Sequence, residues 1–187
     1  MSTNFGFSTW NIHGISSYVL GDKSKNKDFL DDINNIDFIF LTETWCKTNI
    51  DIPGFRAFVS DTAMPYTNQV CRKSGGTTLL TKIIFEKFVS IVKNSKHFLW
   101  YKISKDLLNA EKDLFLCGVY IPPEKSVYFE NEIFDELKND IVSFESRGNV
   151  MILGDFNART CKLEDFISND GNNFINVTSE NCLQAET

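Results

Sequence analysis

At 187 residues, with 42% hydrophobic side chains, the chain is long enough for one globular domain that buries roughly 70% of the surface its unfolded form exposes. A formal net charge of −6 speaks against a stand-alone, tight nucleic-acid binder, which needs clustered Lys and Arg, although a divalent cation in a carboxylate site and the basic residues Arg72, Lys73 and Lys82 would offset part of that objection. No apolar run reaches membrane-spanning length, five cysteines without a C-x-x-C pair argue against a disulfide framework, and two histidines remote from any cysteine pair argue against a zinc site.

From the N-terminus, residues 5–10 alternate enough for a strand, and a loop over His13–Lys23 leads into a helix near Lys25–Asn35 with Phe29, Ile33 and Ile36 on its apolar face. Residues 37–42 read as a fully buried strand, Pro53-Gly54 introduces a shorter one at Phe55–Val59, and polar Ser60–Ser74 reads as a surface loop ended by Gly75-Gly76. Further strands are expected at Thr77–Thr81, Ile83–Val92, Phe98–Ser104 and Leu114–Ile121, the last broken by Pro122-Pro123. Between Ser126 and Phe144, the spacing of Phe129, Ile133, Phe134, Leu137, Ile141 and Phe144 predicts an amphipathic helix feeding a strand at Asn149–Leu153. Beyond Arg159 the pattern fades into a helical turn at Leu163–Ile167 and a polar, turn-rich Ser168–Asn173. Seventeen Phe favour layered sheet packing, and strand–helix–strand units at both ends of a block of consecutive strands predict mixed sheets covered by helices, an α/β sandwich. The N-terminal residues lack a basic region followed by an apolar core, so the expected location is intracellular, nuclear or cytoplasmic, and not secreted; the sequon Asn176-Val-Thr178 is then a chance match.

Four apolar runs end in polar groups: Phe5–Asn11 in an amide, Asp37–Glu43 in a carboxylate, Leu114–Tyr120 in a phenol, and Met151–Asn157 in the carboxylate of Asp155 and the amide of Asn157. With extended backbone through the last turn, Asp155 and Asn157 would point to one face and share a substrate phosphate. Phosphodiester hydrolysis needs such a set, because a nucleophile must approach an anionic group and an alkoxide must leave. Glu43 suits Mg²⁺, with Mn²⁺ as a substitute, since such ions take one or two carboxylates and keep waters. Asp155 would orient and deprotonate the attacking water, Asn11 and Asn157 would hold a phosphate oxygen, the metal or Asp155, and Tyr120 would donate to developing charge. Each residue alone has an ordinary reading as a turn, cap, strand end or packed phenol. Their coincidence at four strand ends is what points to a site.

Five stretches in this order resemble motifs of the endonuclease/exonuclease/phosphatase superfamily, and more closely those of the apurinic-type endonuclease domains of non-LTR retrotransposons. They are Thr9-Trp-Asn11-Ile-His-Gly14, Leu41-Thr-Glu43-Thr-Trp45, Gly75-Gly76-Thr-Thr, Gly118-Val-Tyr120-Ile-Pro-Pro123 and Leu153-Gly-Asp155-Phe-Asn157-Ala-Arg159. The resemblance implies a four-layered α/β sandwich, two mixed β-sheets flanked by helices, and Mg²⁺-dependent nicking of DNA that leaves a 3′-hydroxyl to prime reverse transcription. By motif match Glu43 would bind metal with Asn11 nearby, Asp155 would position water, Asn157 and Tyr120 would contact the phosphate, and Arg159 would support the loop or substrate. The family pattern continues to a terminal Ser-Asp-His, which does not occur here. The expectation is therefore a single domain over 1–187 with its C-terminal strands missing and its activity impaired. His13 is read as an exposed loop histidine rather than a stand-in for the absent one. Two alternatives stay open: a phosphatase of the same fold acting on phosphorylated inositols or nucleotides, and a catalytically inactive fragment.

Overall fold

The computed structural model describes residues 4–17, 21–46, 50–60, 75–126 and 128–157. β1 (Phe7–Asn11) and β4 (Phe38–Thr42) run parallel, from Phe7 against Phe38 to Asn11 against Thr42. A parallel pair needs a crossover, and α1 (Lys27–Ile33) supplies it, starting where the Asn26 side chain accepts the Phe29 N–H at 3.0 Å. Ahead of α1, the short antiparallel strands β2 (Ser16–Ser17) and β3 (Gly21–Asp22) lead into a 3₁₀ turn at Lys23–Lys25. β6 (Thr77–Lys82) pairs antiparallel with both β4 and β5 (Phe55–Val59), completing the sheet order β1-β4-β6-β5.

The second sheet has the order β10-β9-β8-β7. β7 (Val89–Asn94), β8 (Phe98–Ile103) and β9 (Leu114–Tyr120) are antiparallel neighbours, while β10 (Asn149–Asp155) is parallel to β9. Between β8 and β9 sits α2 (Lys105–Leu108), and α3 (Ile133–Glu145) makes the crossover from β9 to β10. Both sheets are mixed, each with its parallel pair at one edge.

Side-chain alternation then sorts the core into three layers of contact. Phe38, Phe40 and Leu79 of the first sheet meet Leu99, Tyr101, Leu114 and Leu116 of the second. Each such fully buried side chain contributes about 1.5–3 kcal/mol. Close approach of the sheets depends on Gly118, where a Cβ would lie 2.0 Å from the Phe40 ring. On the outer face of the first sheet Ile39, Leu41 and Leu80 pack against Phe29 and Ile33 of α1. On the outer face of the second, Trp100, Phe115 and Val119 pack against Ile133, Leu137 and Phe144 of α3. A buried carboxylate there, Asp140, accepts the Trp100 indole N–H at 2.9 Å and the Lys93 ammonium at 2.7 Å, so its charge is paired. The result is the four-layered α/β sandwich that the sequence implies.

Two expectations need correction. Ile83–Val92 is not one strand: because β6 and β7 lie in different sheets, the chain must turn, and Ile83–Phe88 forms a 3₁₀ turn with Ile83 and Ile84 57% and 68% exposed. The last helix begins at Ile133 rather than Ser126; Phe129 still packs beneath it, but from the preceding loop, and Phe134 is 52% exposed instead of buried. β10 is only partly buried, because among the described residues it is an edge strand. Arg159, the Leu163–Ile167 turn and the remainder to Thr187 lie outside the described residues. Among those described, no helix is long and apolar enough to cross a membrane.

Candidate functional site

Parallel pairing carries the polar strand ends to one place. Phe7 of β1, Leu114 and Leu116 of β9, and Met151 and Leu153 of β10 all face the inter-sheet core, so two-residue alternation sets Asn11, Tyr120 and Asp155 on the same inner faces. Tyr120 and Asp155 are register partners, and Glu43 directly follows Thr42, the partner of Asn11. The Asn11 Nδ2 donates to Asp155 Oδ2 at 3.0 Å and so bridges the two sheets. A second bridge runs from the Tyr120 hydroxyl, which donates to Glu43 Oε1 at 3.2 Å. Glu43 Oε2 lies 3.1 Å from His13 Nδ1, and the His13 backbone N–H donates to Asn11 Oδ1 at 3.2 Å. On the far side the Asn157 backbone N–H donates to Asp155 Oδ1 at 2.9 Å. Asn11, Glu43, Tyr120, Asp155 and Asn157 thus belong to one connected set, with His13 as an additional member.

Asn157 departs from the extended geometry expected of it. Its φ of 46° turns the backbone left-handed, and its Nδ2 donates to the Ile121 carbonyl at 2.8 Å, bracing the chain after β9. The reason is local: the turn lets the Asn157 N–H fold back on Asp155, which an extended strand could not do.

Backbone strain is concentrated around the same residues. Of the five non-glycine residues with positive φ among those described, His13, Glu43, Trp45 and Asn157 lie in or beside the set, while Asn109 ends α2. Such conformations cost about 1–3 kcal/mol and persist only where the surroundings dictate them. Here Gly14 N–H donates to Glu43 O at 2.6 Å, Thr44 N–H to Gly76 O at 3.0 Å and Trp45 N–H to Gly75 O at 3.0 Å. A Cβ on Gly14 would lie 2.4 Å from the Trp45 ring, and one on Gly76 2.7 Å from Thr44 Oγ1. Glycines in two sequence motifs are therefore the space in which the Glu43 loop lies. Lys23, which carried no signal in the sequence, holds the other wall: its ammonium donates to the Ile12 carbonyl, and its backbone N–H to Ile15 O at 2.8 Å.

Burial, and secondarily the charge of Glu43, raise the Tyr120 phenol well above its ordinary range, so it is a proton donor throughout the neutral range. Glu43, with a side chain 22% exposed, keeps an open approach from solvent. Among the described residues no three His, Cys, Asp or Glu side chains gather as a metal cluster. A Mg²⁺-class ion does not need one: a carboxylate such as Glu43, an amide oxygen such as that of Asn11, and waters make a hard-oxygen donor set. The residues present fit a divalent cation.

The endonuclease/exonuclease/phosphatase family model matches residues 8–173. Among solved structures, the chain is similar to the human Nocturnin catalytic domain with bound sulfate anion, with TM-score 0.52 and 13% identity over 82% of this chain and 64% of that one. It is also similar to an AP endonuclease from Archaeoglobus fulgidus, with TM-score 0.48 and 14% identity over 83% of this chain and 58% of that one. The endonuclease domain of TRAS1, a telomere-specific non-LTR retrotransposon, gives TM-score 0.41 and 12% identity over 68% of this chain and 50% of that one. The first of these likenesses shows the fold, and the chain spans less than two thirds of the length of each of the three. No curated protein matches the sequence.

Proposed function

The chain belongs to the endonuclease/exonuclease/phosphatase family, and on that premise we propose that it hydrolyses phosphodiester bonds in DNA with a divalent cation, Mg²⁺ or Mn²⁺, as an endonuclease of the non-LTR retrotransposon type. The observation that carries this reading is the pair of bridges between the sheets, Asn11 to Asp155 and Tyr120 to Glu43, at the C-terminal ends of their strands. Glu43 and Asn11 would hold the cation, which when bound polarises the phosphate as a Lewis acid. Asp155 accepts the proton of the attacking water; Asn11 and the Asn157 N–H each fix one of its oxygens, so its orientation is set before substrate arrives. Tyr120, held protonated, donates to negative charge building on the phosphate, Asn157 contacts a phosphate oxygen, and Arg159 supports the loop or the substrate. The new P–O bond replaces the P–O3′ bond, and the departing 3′-oxygen takes a proton from solvent, so cleavage leaves a 3′-hydroxyl and a 5′-phosphate.

A second reading, a phosphatase for phosphorylated inositols or nucleotides, is favoured by the net charge of −6, which disfavours a long polyanion. One experiment separates the two: the chain is incubated with Mg²⁺ and either supercoiled plasmid or inositol polyphosphates. Conversion of plasmid to nicked circle without release of inorganic phosphate from the inositols is the expected outcome. Phosphate release with intact plasmid would establish the second reading, and inertness on both would leave a catalytically inactive chain.

A further inference from the structure

We propose that His13 is a nitrogen ligand of the cation site, so that this chain takes Mn²⁺ or Co²⁺ in preference to Mg²⁺; the inference rests on the cation-site reading above. The spacing of donors is the first argument. His13 Nδ1 and Glu43 Oε2 are 3.1 Å apart. Two atoms bound about 2.1 Å from one octahedral ion, at a right angle, stand about 3.0 Å apart, so the pair already has the separation of two ligands of one ion.

Preorganisation is the second. The His13 backbone is left-handed, with φ 50°, and is fixed by its own N–H to Asn11 Oδ1 and by the Gly14 N–H to Glu43 O. Its ring stands edge-on to Trp45, with centroids 4.6 Å apart and planes at 62°. The side chain remains 59% exposed, so an ion can reach the imidazole from solvent. Ring and carboxylate are therefore held side by side by these three contacts rather than meeting as two mobile surface groups.

The chemistry of the donor follows. Mg²⁺ prefers oxygen and binds imidazole poorly, whereas first-row transition ions accept nitrogen readily. With one nitrogen among Glu43 and Asn11 oxygens, affinity rises along Mn²⁺ to Co²⁺ and not for Mg²⁺.

The chain has only two histidines, and the other, His97, is buried with its ring beside Phe98 and Glu130, so a ¹⁴N signal lost in a His13 variant reports on His13. The test is electron spin-echo envelope modulation on Mn²⁺ bound to the untagged chain, beside His13→Asn and Glu43→Gln; asparagine tolerates the left-handed backbone at this position. Expected are directly coordinated ¹⁴N modulation in the parent, its loss in His13→Asn, a drop in Mn²⁺ affinity of about tenfold or more in that variant with Mg²⁺ affinity kept within about twofold, and loss of bound ion in Glu43→Gln. Glu43-dependent Mn²⁺ binding without ¹⁴N modulation, or with modulation that survives in His13→Asn, overturns the inference and leaves the cation site standing, with His13 as a hydrogen-bond partner of Glu43. Absence of any Glu43-dependent ion overturns both. A melting curve of each variant separates these outcomes from misfolding.

Discussion

Gly76 lies one backbone hydrogen bond from Thr44, and the space left by its missing side chain decides where Glu43 can stand. Its φ of 86° is a conformation that only glycine adopts without strain, and a methyl group there would press on Thr44 Oγ1 and, at 3.2 Å, on the Trp45 backbone nitrogen. Gly76→Ala is expected to lower stability by about 1–3 kcal/mol in urea unfolding, with unchanged m-value. A loss under about 0.5 kcal/mol would show that the Glu43 loop is not held by this contact. At this scale most of the site was legible: Asn11, Glu43, Tyr120, Asp155 and Asn157 could all be named because each ends an apolar run, and the structure brings all five together. What could not be read was how the groups are arranged, since the left-handed turn at Asn157 and the seat of His13 against Trp45 depend on neighbours brought in by other strands.

Strands carry the clearest sequence signal, and the hairpin between β7 and β8 shows where it ends. Ser95 N–H donates to Phe98 O at 2.9 Å and closes a two-residue turn over Lys96 and His97. The His97 ring is buried with neither nitrogen hydrogen-bonded; Glu130 Oε2 stands 3.7 Å away, beyond hydrogen-bond reach. Burial, and then the positive charge of Lys96, lower its pKa below the ordinary 6.5, with Glu130 opposing. Between the lowered folded value and 6.5 the unfolded chain therefore binds more protons than the folded one, so stability falls as pH drops through this window. His97→Phe is expected to remove that slope while keeping stability at pH 8 within about 1 kcal/mol, because no satisfied hydrogen bond is lost. Parallel pH profiles of the two proteins in thermal melts from pH 5 to 8 would contradict this. Elements defined by burial on both faces, such as β4, and by flanking turn residues, such as β5, matched their predicted ranges closely. Ile83–Phe88 and residues 126–132 did not, because apolar character alone does not say whether a segment must cross between sheets or wrap around an edge.

At the scale of the whole molecule, the candidate site is assembled by the two sheets closing face to face. Among the described residues β1 and β10 each lie at an edge, and their C-terminal ends, Asn11 and Asp155, meet across the sheets, whose close approach at Gly118 leaves room only for the Phe40 ring. Strand–helix–strand units at both ends of a block of strands predict mixed sheets covered by helices, which the structure shows; the edge position of each parallel pair was not legible, because it depends on partners remote in sequence. In the proposed function the Asn11–Asp155 bridge is a working unit of phosphodiester hydrolysis. The decisive measurement is the rate of plasmid nicking, under saturating cation, for the parent, Asn11→Ala, Asp155→Ala and the double variant. Each single change is predicted to lower the rate by about 10²–10⁴, and the double variant to be no more than about threefold slower than the slower single, because groups that act as one unit lose their effect together. Losses that multiply, or a parent no faster than the double variant, would contradict it.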